Sequence, residues 1–250
     1  MNKDYSILWF VLLTVALSFG AYFLPLPAEG KTLLVPAILV FIPTLVSVPL
    51  VFLTEGRDGI RQLFSTVRGA WMWILIGAGI GVFLRVAVLV TGLVLGTSIQ
   101  ADLSAPGTAF VILATIPLAW FEELGWRRFA LDRLLKSRSP IEASLLLGVP
   151  WALIHLVVLL PGMMSAGAPA VPQTLVLLAL SVFITWTYTR SGGSLLAVTL
   201  LHGLQNGLVV LNRGLGIADA TWLMMGVYIL LAGLLIFFDR RTFFARPSVQ

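Results

Sequence analysis

Eight long apolar runs divide this chain, and they restrict its fold more than any other feature of the sequence. Most of them reach the roughly 20 residues that a helix needs to cross the hydrocarbon core of a bilayer. Only 11% of the residues are charged, against about 25% in a typical soluble domain. The sequence therefore predicts an all-α, polytopic membrane helix bundle with about eight transmembrane helices. The runs lie at Ile7–Leu24, Leu33–Leu53, Ala70–Leu95, Thr108–Phe121, Ala143–Leu160, Val171–Thr189, Leu195–Leu211 and Thr221–Phe238.

The fourth run is too short to cross a bilayer unless its helix continues beyond Phe121 toward Leu135. We predict that it does, which draws two adjacent carboxylates into the membrane. The first run is predicted to be a span and not a signal peptide, because its basic flank is a single lysine and its cleavage pattern is weak. No composition shift marks a second unit, so residues 1–250 are expected to form one integral membrane domain.

The positions of the basic residues predict the orientation of the bundle. With eight spans and a cytoplasmic N-terminus, thirteen Lys and Arg residues lie on the cytoplasmic side and two on the other, with Arg85 inside a span. Membrane proteins show the same excess of basic residues on the cytoplasmic side, so both termini are predicted to be cytoplasmic. Because this topology explains the basic residues, the sequence does not predict nucleic-acid binding. The thirteen are Lys3, Arg57, Arg61, Arg68, Arg127, Arg128, Arg133, Lys136, Arg138, Arg190, Arg240, Arg241 and Arg246.

The segment Trp120–Arg128 places two carboxylates and two guanidiniums inside apolar sequence. A charged side chain at the bilayer centre costs about 2.5–3.5 kcal/mol on insertion scales, so such residues usually have a function. Glu123 and Arg127 are four residues apart and share one helix face, which predicts an internal ion pair. Glu122 lies about 100° around the helix and is free to point elsewhere.

Two further spans carry polar residues at the same spacing. Trp151 and His155 form one pair, and His202 and Asn206 form the other. The two histidines are the only ones in the chain. Because isolated polar groups are costly in lipid, the three patches are expected to face one another or a shared cavity.

Such a cavity limits the available chemistry to carboxylate, imidazole and amide, since the chain has no cysteine. A carboxylate can act as general base toward water, and imidazole or amide N–H groups can stabilise an oxyanion. The same residues could instead bind a divalent metal such as zinc through Glu122, His155 and His202, with a position left for water. Simpler explanations are a charge cluster at a helix end, histidines in helix contacts and, for Arg85, a buried ion pair or a snorkelling side chain.

The three motifs together resemble the signature of the CPBP family, also called ABI, of CAAX proteases and bacteriocin-processing enzymes. The motifs are Glu122-Glu123-x-x-x-Arg127, Trp151-x-x-x-His155 and His202-x-x-x-Asn206. The family's second motif usually begins with Phe, and the Trp in this chain is a conservative change in bulk.

The resemblance implies an intramembrane endopeptidase, which we expect to act on a membrane-associated peptide or protein. The short loops and the chain length favour a prokaryotic protein, so we expect it in the plasma membrane. By resemblance, Glu122 activates water with help from His155, while His202 and Asn206 stabilise the oxyanion. Glu123 and Arg127 would hold the site. A zinc-dependent and a metal-free mechanism both remain open, and the sequence does not predict a prenylated substrate.

Two non-enzymatic hypotheses compete with this interpretation. One is a bacteriocin-immunity or membrane scaffold protein of the same fold. The other is a small proton-coupled transporter with Glu122 and His155 as a proton relay, which the lack of visible inverted repeats disfavours.

Overall fold

A computed structural model describes residues 5–67, 69–104, 106–163 and 165–246. These residues are helical apart from short connections, and the predicted all-α class is confirmed. Two of the basic residues used to predict orientation, Lys3 and Arg68, lie outside the described residues.

Eight apolar helices and one short terminal helix make up the described bundle. They are α1 (Ser6–Tyr22), α2 (Ala28–Leu63), α3 (Trp71–Val94), α4 (Thr108–Glu123), α5 (Pro140–His155), α6 (Ala170–Arg190), α7 (Leu195–Gly207), α8 (Ile217–Phe238) and α9 (Arg240–Phe243).

Seven stretches of described helix are long and apolar enough to cross a membrane, and they include α2 to α8. The remaining apolar helix, α1, has 17 residues and lies at the lower limit of the usual range. The side chain of Phe10 in α1 is fully buried, with its ring centre 5.0 Å from that of Trp126. The helix is therefore packed into the bundle, next to the segment that carries the charged motif. The cytoplasmic location of the termini stays a prediction.

The helix that carries the two glutamates continues past them, as predicted. After Glu123 the chain forms a π-helical segment, Leu124–Leu131, and a last turn, Asp132–Leu134. The whole stretch gives a span of 27 residues, Thr108–Leu134. A π-helix is wider than an α-helix and occurs most often at functional sites. Nothing in the residue pattern had predicted this change of helix type.

Helix α7 lies at the centre of the bundle, packed between α3 and α4. Glycines make this close packing possible, as small residues commonly do between membrane helices. Gly81 of α3 lies against the backbone carbonyl of Leu201, and Gly203 of α7 lies against the Cα atom of Ile116. The helix with the second histidine is thus fixed on both sides by direct backbone contact.

Replacing Gly81→Ala is expected to destabilise the bundle by about 1–3 kcal/mol, the usual cost of overpacking a well-packed interior. The added Cβ would lie 2.5 Å from the carbonyl oxygen of Leu201, so the two helices must separate. Gly79→Ala in the same helix is the control, because its Cβ meets nothing within 4 Å. Unfolding of the purified proteins in a denaturing detergent measures both. Equal stability of the two variants would contradict the packing argument.

Arg85 is buried beside the C-terminal end of α7. Its guanidinium donates to the backbone carbonyl of Gln205 and to Oδ1 of Asn212, the latter at 3.0 Å. Within the described residues its hydrogen-bond partners are neutral, so neither an ion pair nor a snorkelling side chain accounts for it. A helix leaves its last carbonyls without intrahelical partners and has a negative dipole end, which suits a cation there. Arg85 therefore fixes the helix end one residue from Asn206.

Candidate active site

Helices α4, α5 and α7 bring two carboxylates and two imidazoles together inside the bundle. Nε2 of His155 lies 3.8 Å from Oε1 of Glu122, and Nδ1 of His202 lies 2.7 Å from Oε1 of Glu123. Glu122, Glu123 and His202 are buried, whereas the His155 side chain is 26% exposed. The adjacent glutamates thus point to different histidines, as expected from their separation of about 100° around the helix.

Trp151 contacts Glu122 through a hydrogen bond that the sequence analysis missed. Its indole Nε1–H donates to Oε1 of the carboxylate. The indole ring also packs edge-on against His155, with ring centres 5.1 Å apart. Trp in place of Phe is therefore more than the conservative change in bulk that the sequence suggests, because only Trp carries this N–H donor. The indole group itself was the signal that could have predicted the contact.

The hydrogen bonding of His155 fixes which of its nitrogens is available for chemistry. Nδ1 lies 2.8 Å from the backbone carbonyl oxygen of Trp151. A carbonyl oxygen only accepts, so Nδ1–H is the donor and the neutral ring carries its lone pair on Nε2. That nitrogen faces the Glu122 carboxylate, which in its ionised form also only accepts. The two acceptors suit a molecule with two O–H donors, such as water.

Glu123 is held by Arg127 and His202. Nε of Arg127 lies 3.1 Å from Oε2 of Glu123, and both side chains are buried. The predicted ion pair is therefore present. The Cζ atom of Arg127 also lies 4.7 Å from the centre of the Trp151 ring, within cation–π range. Its two Nη atoms are buried without a hydrogen-bond partner in the described residues, so the cation depends on these two contacts.

Asn206 is the one predicted site residue whose side chain forms no hydrogen bond or ion pair with the others in the described residues. It lies one turn beyond His202, its side chain is exposed, and the described part of the chain offers it no hydrogen-bond partner. Its amide N–H groups are free to bind another molecule. Its role as an oxyanion donor stays a prediction, as do the roles of the other five residues.

The described residues contain no group of three or more His, Asp or Glu side chains placed to hold a metal ion. The two histidines point to different carboxylates, and Nδ1 of His202 is already bonded to Glu123. The predicted zinc ligands Glu122, His155 and His202 are therefore not arranged as a three-ligand set. Metal dependence stays a prediction, and no step proposed below passes through a metal.

Comparison with known proteins agrees with the three motifs. Residues 104–208 match a family described as Rce1-like, type II CAAX prenyl endopeptidase Rce1-like. The chain is also 30% identical over 146 residues to CAAX prenyl protease 2 of Methanococcus maripaludis. That match covers 54% of this chain and 52% of the relative, so it spans about half the length of the curated protein. Residues 104–208, which include every site residue from Glu122 to Asn206, are therefore similar to the CAAX-type prenyl endopeptidases, in agreement with the resemblance of the three motifs to the CPBP family.

Proposed function

We propose that this protein is an intramembrane endopeptidase that hydrolyses a peptide bond in a membrane-associated peptide or protein. One observation carries the proposal, namely that Glu122 and the lone-pair nitrogen of His155 face each other at 3.8 Å. A carboxylate and an imidazole acceptor in this arrangement can orient a water molecule and remove its proton. The family supports peptidase activity, and the apolar helices support a multi-pass membrane location. We place the enzyme in the plasma membrane.

The proposed reaction begins with water bound between Glu122 and His155. Glu122 accepts a proton from the water while the water oxygen bonds to the carbonyl carbon of the substrate. The carbonyl oxygen then carries the negative charge of a tetrahedral intermediate. When the carbon–nitrogen bond breaks, the proton passes from Glu122 to the leaving amine. The products are a carboxylic acid and an amine, and Glu122 returns to its starting state.

The negative charge on the intermediate needs hydrogen-bond donors, and α7 supplies two candidates. The Glu123 carboxylate accepts from Nδ1–H of His202, so Nε2 of that ring can donate only from the doubly protonated imidazolium. Asn206, one turn further along α7, offers its free amide. Arg127 acts indirectly, because it holds the Glu123 carboxylate that orients His202.

Replacing Asn206→Ala is expected to lower kcat by about 10²-fold, the effect of removing one oxyanion donor. Its exposed side chain has no hydrogen-bond partner in the described residues, so stability should not change. Asn212→Ala is the matched control, because Asn212 is buried and bonded to Arg85 at 3.0 Å. That change should lower stability more than Asn206→Ala does. Full activity of Asn206→Ala would exclude the amide from the reaction.

The proposal is tested by cleavage of a quenched membrane-peptide library by the detergent-purified protein. The relative is named a CAAX prenyl protease, so the library contains matched peptides with and without an isoprenylated C-terminal cysteine. We expect cleavage of peptides that insert into the membrane. Elemental analysis of the same samples measures the metal content per protein chain. Absence of cleavage in both arms by well-folded protein would favour the immunity or scaffold hypothesis.

A further inference from the structure

A second site lies away from the glutamates, in an open groove where the ends of several helices meet. Its volume is about 640 Å³. Four arginines line the groove, from the loop before α5, the end of α6, helix α9 and the residues that follow it. They are Arg138, Arg190, Arg241 and Arg246. All four side chains are exposed.

Positive charge in this groove is only partly compensated. Its one acidic lining residue is Asp239. Trp186 Nε1–H and Thr242 Oγ1–H donate to that carboxylate at 2.8 and 2.9 Å, and Nε of Arg190 lies 3.7 Å away. The indole hydrogen bond holds the pKa of Asp239 below its usual value, so the carboxylate is ionised at neutral pH. Glu142 does not line the groove, but its carboxylate is close enough to Arg138 and Arg246 to interact with them electrostatically. With this carboxylate counted, a net charge of plus two remains.

A second basic cavity of the same protein differs from the groove because its arginines are paired with carboxylates. That cavity has a volume of about 160 Å³ and is also lined by several cations. There, Arg128 pairs with Asp132 at 3.2 Å and Arg133 pairs with Glu55. In the groove, only Arg190 has a carboxylate within 4 Å among the described residues. The smaller cavity has three lining cations and two lining carboxylates, so its excess positive charge is smaller than that of the groove. An anion from outside the chain would offset the larger excess in the groove.

The groove lies at the end of a membrane-crossing helix. Helix α8 ends at Phe238, directly before the groove residues Asp239 and Arg241. Phe238 and Phe244 flank this segment and are 80% and 61% exposed. Exposed phenylalanines at the end of a span provide apolar surface that a membrane can cover. Partly compensated guanidiniums beside them lie at the level of lipid headgroups.

We propose that this groove binds the phosphate headgroup of an anionic lipid. Guanidinium groups form paired, charge-assisted hydrogen bonds with phosphate oxygens, and basic groups near the surface are attracted to anionic lipids. The exposed phenylalanines favour a lipid over a soluble phosphate, because they provide an apolar border for the acyl chains. This binding site is separate from the proposed peptidase site and does not depend on the proposed function.

The test measures lipid binding by the purified protein in detergent. Native mass spectrometry counts phosphatidylglycerol and phosphatidylcholine molecules that remain bound across a lipid titration. We expect the wild type to bind phosphatidylglycerol more tightly than phosphatidylcholine. The double variant Arg138→Gln/Arg241→Gln should bind phosphatidylglycerol about tenfold more weakly or worse. Both side chains are exposed, and size-exclusion chromatography checks that the variant is folded.

The control is Arg57→Gln/Arg240→Gln, which removes the same charge from exposed arginines outside the groove. Unchanged affinity in this control, together with loss in the groove variant, would support the proposal. Equal loss in both variants would overturn it, because the attraction would then be general. Competition by inorganic phosphate at equal concentration would also overturn it in favour of a soluble anion, and so would equal binding of the two lipids by the wild type.

Discussion

Glu122→Gln is expected to lower the rate of peptide hydrolysis by about 10³-fold, within the range that general base catalysis contributes. The amide that replaces the carboxylate cannot accept a proton from water. Nε2 of His155 could still accept a hydrogen bond from water, but no carboxylate would be present to remove the proton. Single-turnover cleavage of a library peptide measures the chemical step directly.

The folded state should survive this substitution. An amide oxygen can still accept the hydrogen bond from Nε1 of Trp151, and the side chain keeps its size. Asp58→Asn is the control for removal of a carboxylate, because the Asp58 side chain is 90% exposed and remote from the site. It should cleave at the wild-type rate. Wild-type turnover by Glu122→Gln would show that another group is the base.

The same variant separates the three functions that the sequence allows. An endopeptidase loses cleavage, whereas an immunity or scaffold protein keeps its biological effect when Glu122 is neutral. A proton-coupled transporter would lose proton flux across liposomes instead. Measurements of peptide cleavage, of protection against a bacteriocin and of proton flux on the same variant therefore show in which process Glu122 takes part.

The meeting of three helices at the site could be predicted because helix geometry is regular. A spacing of four residues places Glu123 beside Arg127, and neighbouring residues diverge by about 100°, which sends Glu122 in another direction. The cost of polar groups in lipid then makes the polar faces turn toward each other. The ion pair at 3.1 Å and the separate partners of the two glutamates follow from these rules.

The details that escaped prediction depend on tertiary packing. The π-helical segment after Glu123, Leu124–Leu131, follows from no residue pattern in the sequence. The indole bond from Trp151 to Glu122 depends on how α4 and α5 are placed in space. Arg85 has neutral partners because the end of α7 presents a carbonyl to it. The position of Asn206 also depends on tertiary packing. Its i, i+4 spacing from His202 did not bring it into contact with the carboxylates.

Arg127→Ala is expected to destabilise the protein by about 3–5 kcal/mol, the usual cost of breaking a buried ion pair from one side. The Glu123 side chain is fully buried, and Arg127 is its only ion-pair partner among the described residues other than the titratable His202. Removing the guanidinium leaves that negative charge in the bundle and also ends the contact with the Trp151 ring. Folded yield and unfolding in a denaturing detergent measure the loss.

Comparison of the double variant Glu123→Gln/Arg127→Met with the single variant Arg127→Met tests whether the unpaired charge causes the loss, because both have the same side chain at position 127. The double variant removes both charges and keeps most of the buried side-chain volume, so no uncompensated ion remains and stability should partly recover. Arg61→Ala is the control, because its ion pair with Asp58 is 81% and 90% exposed and should contribute little. If the double variant is as unstable as Arg127→Met, the loss of the guanidinium contacts and not the unpaired charge of Glu123 causes the instability. If stability recovers but cleavage does not, the charge of Glu123 acts through its hydrogen bond to His202 and not through the fold.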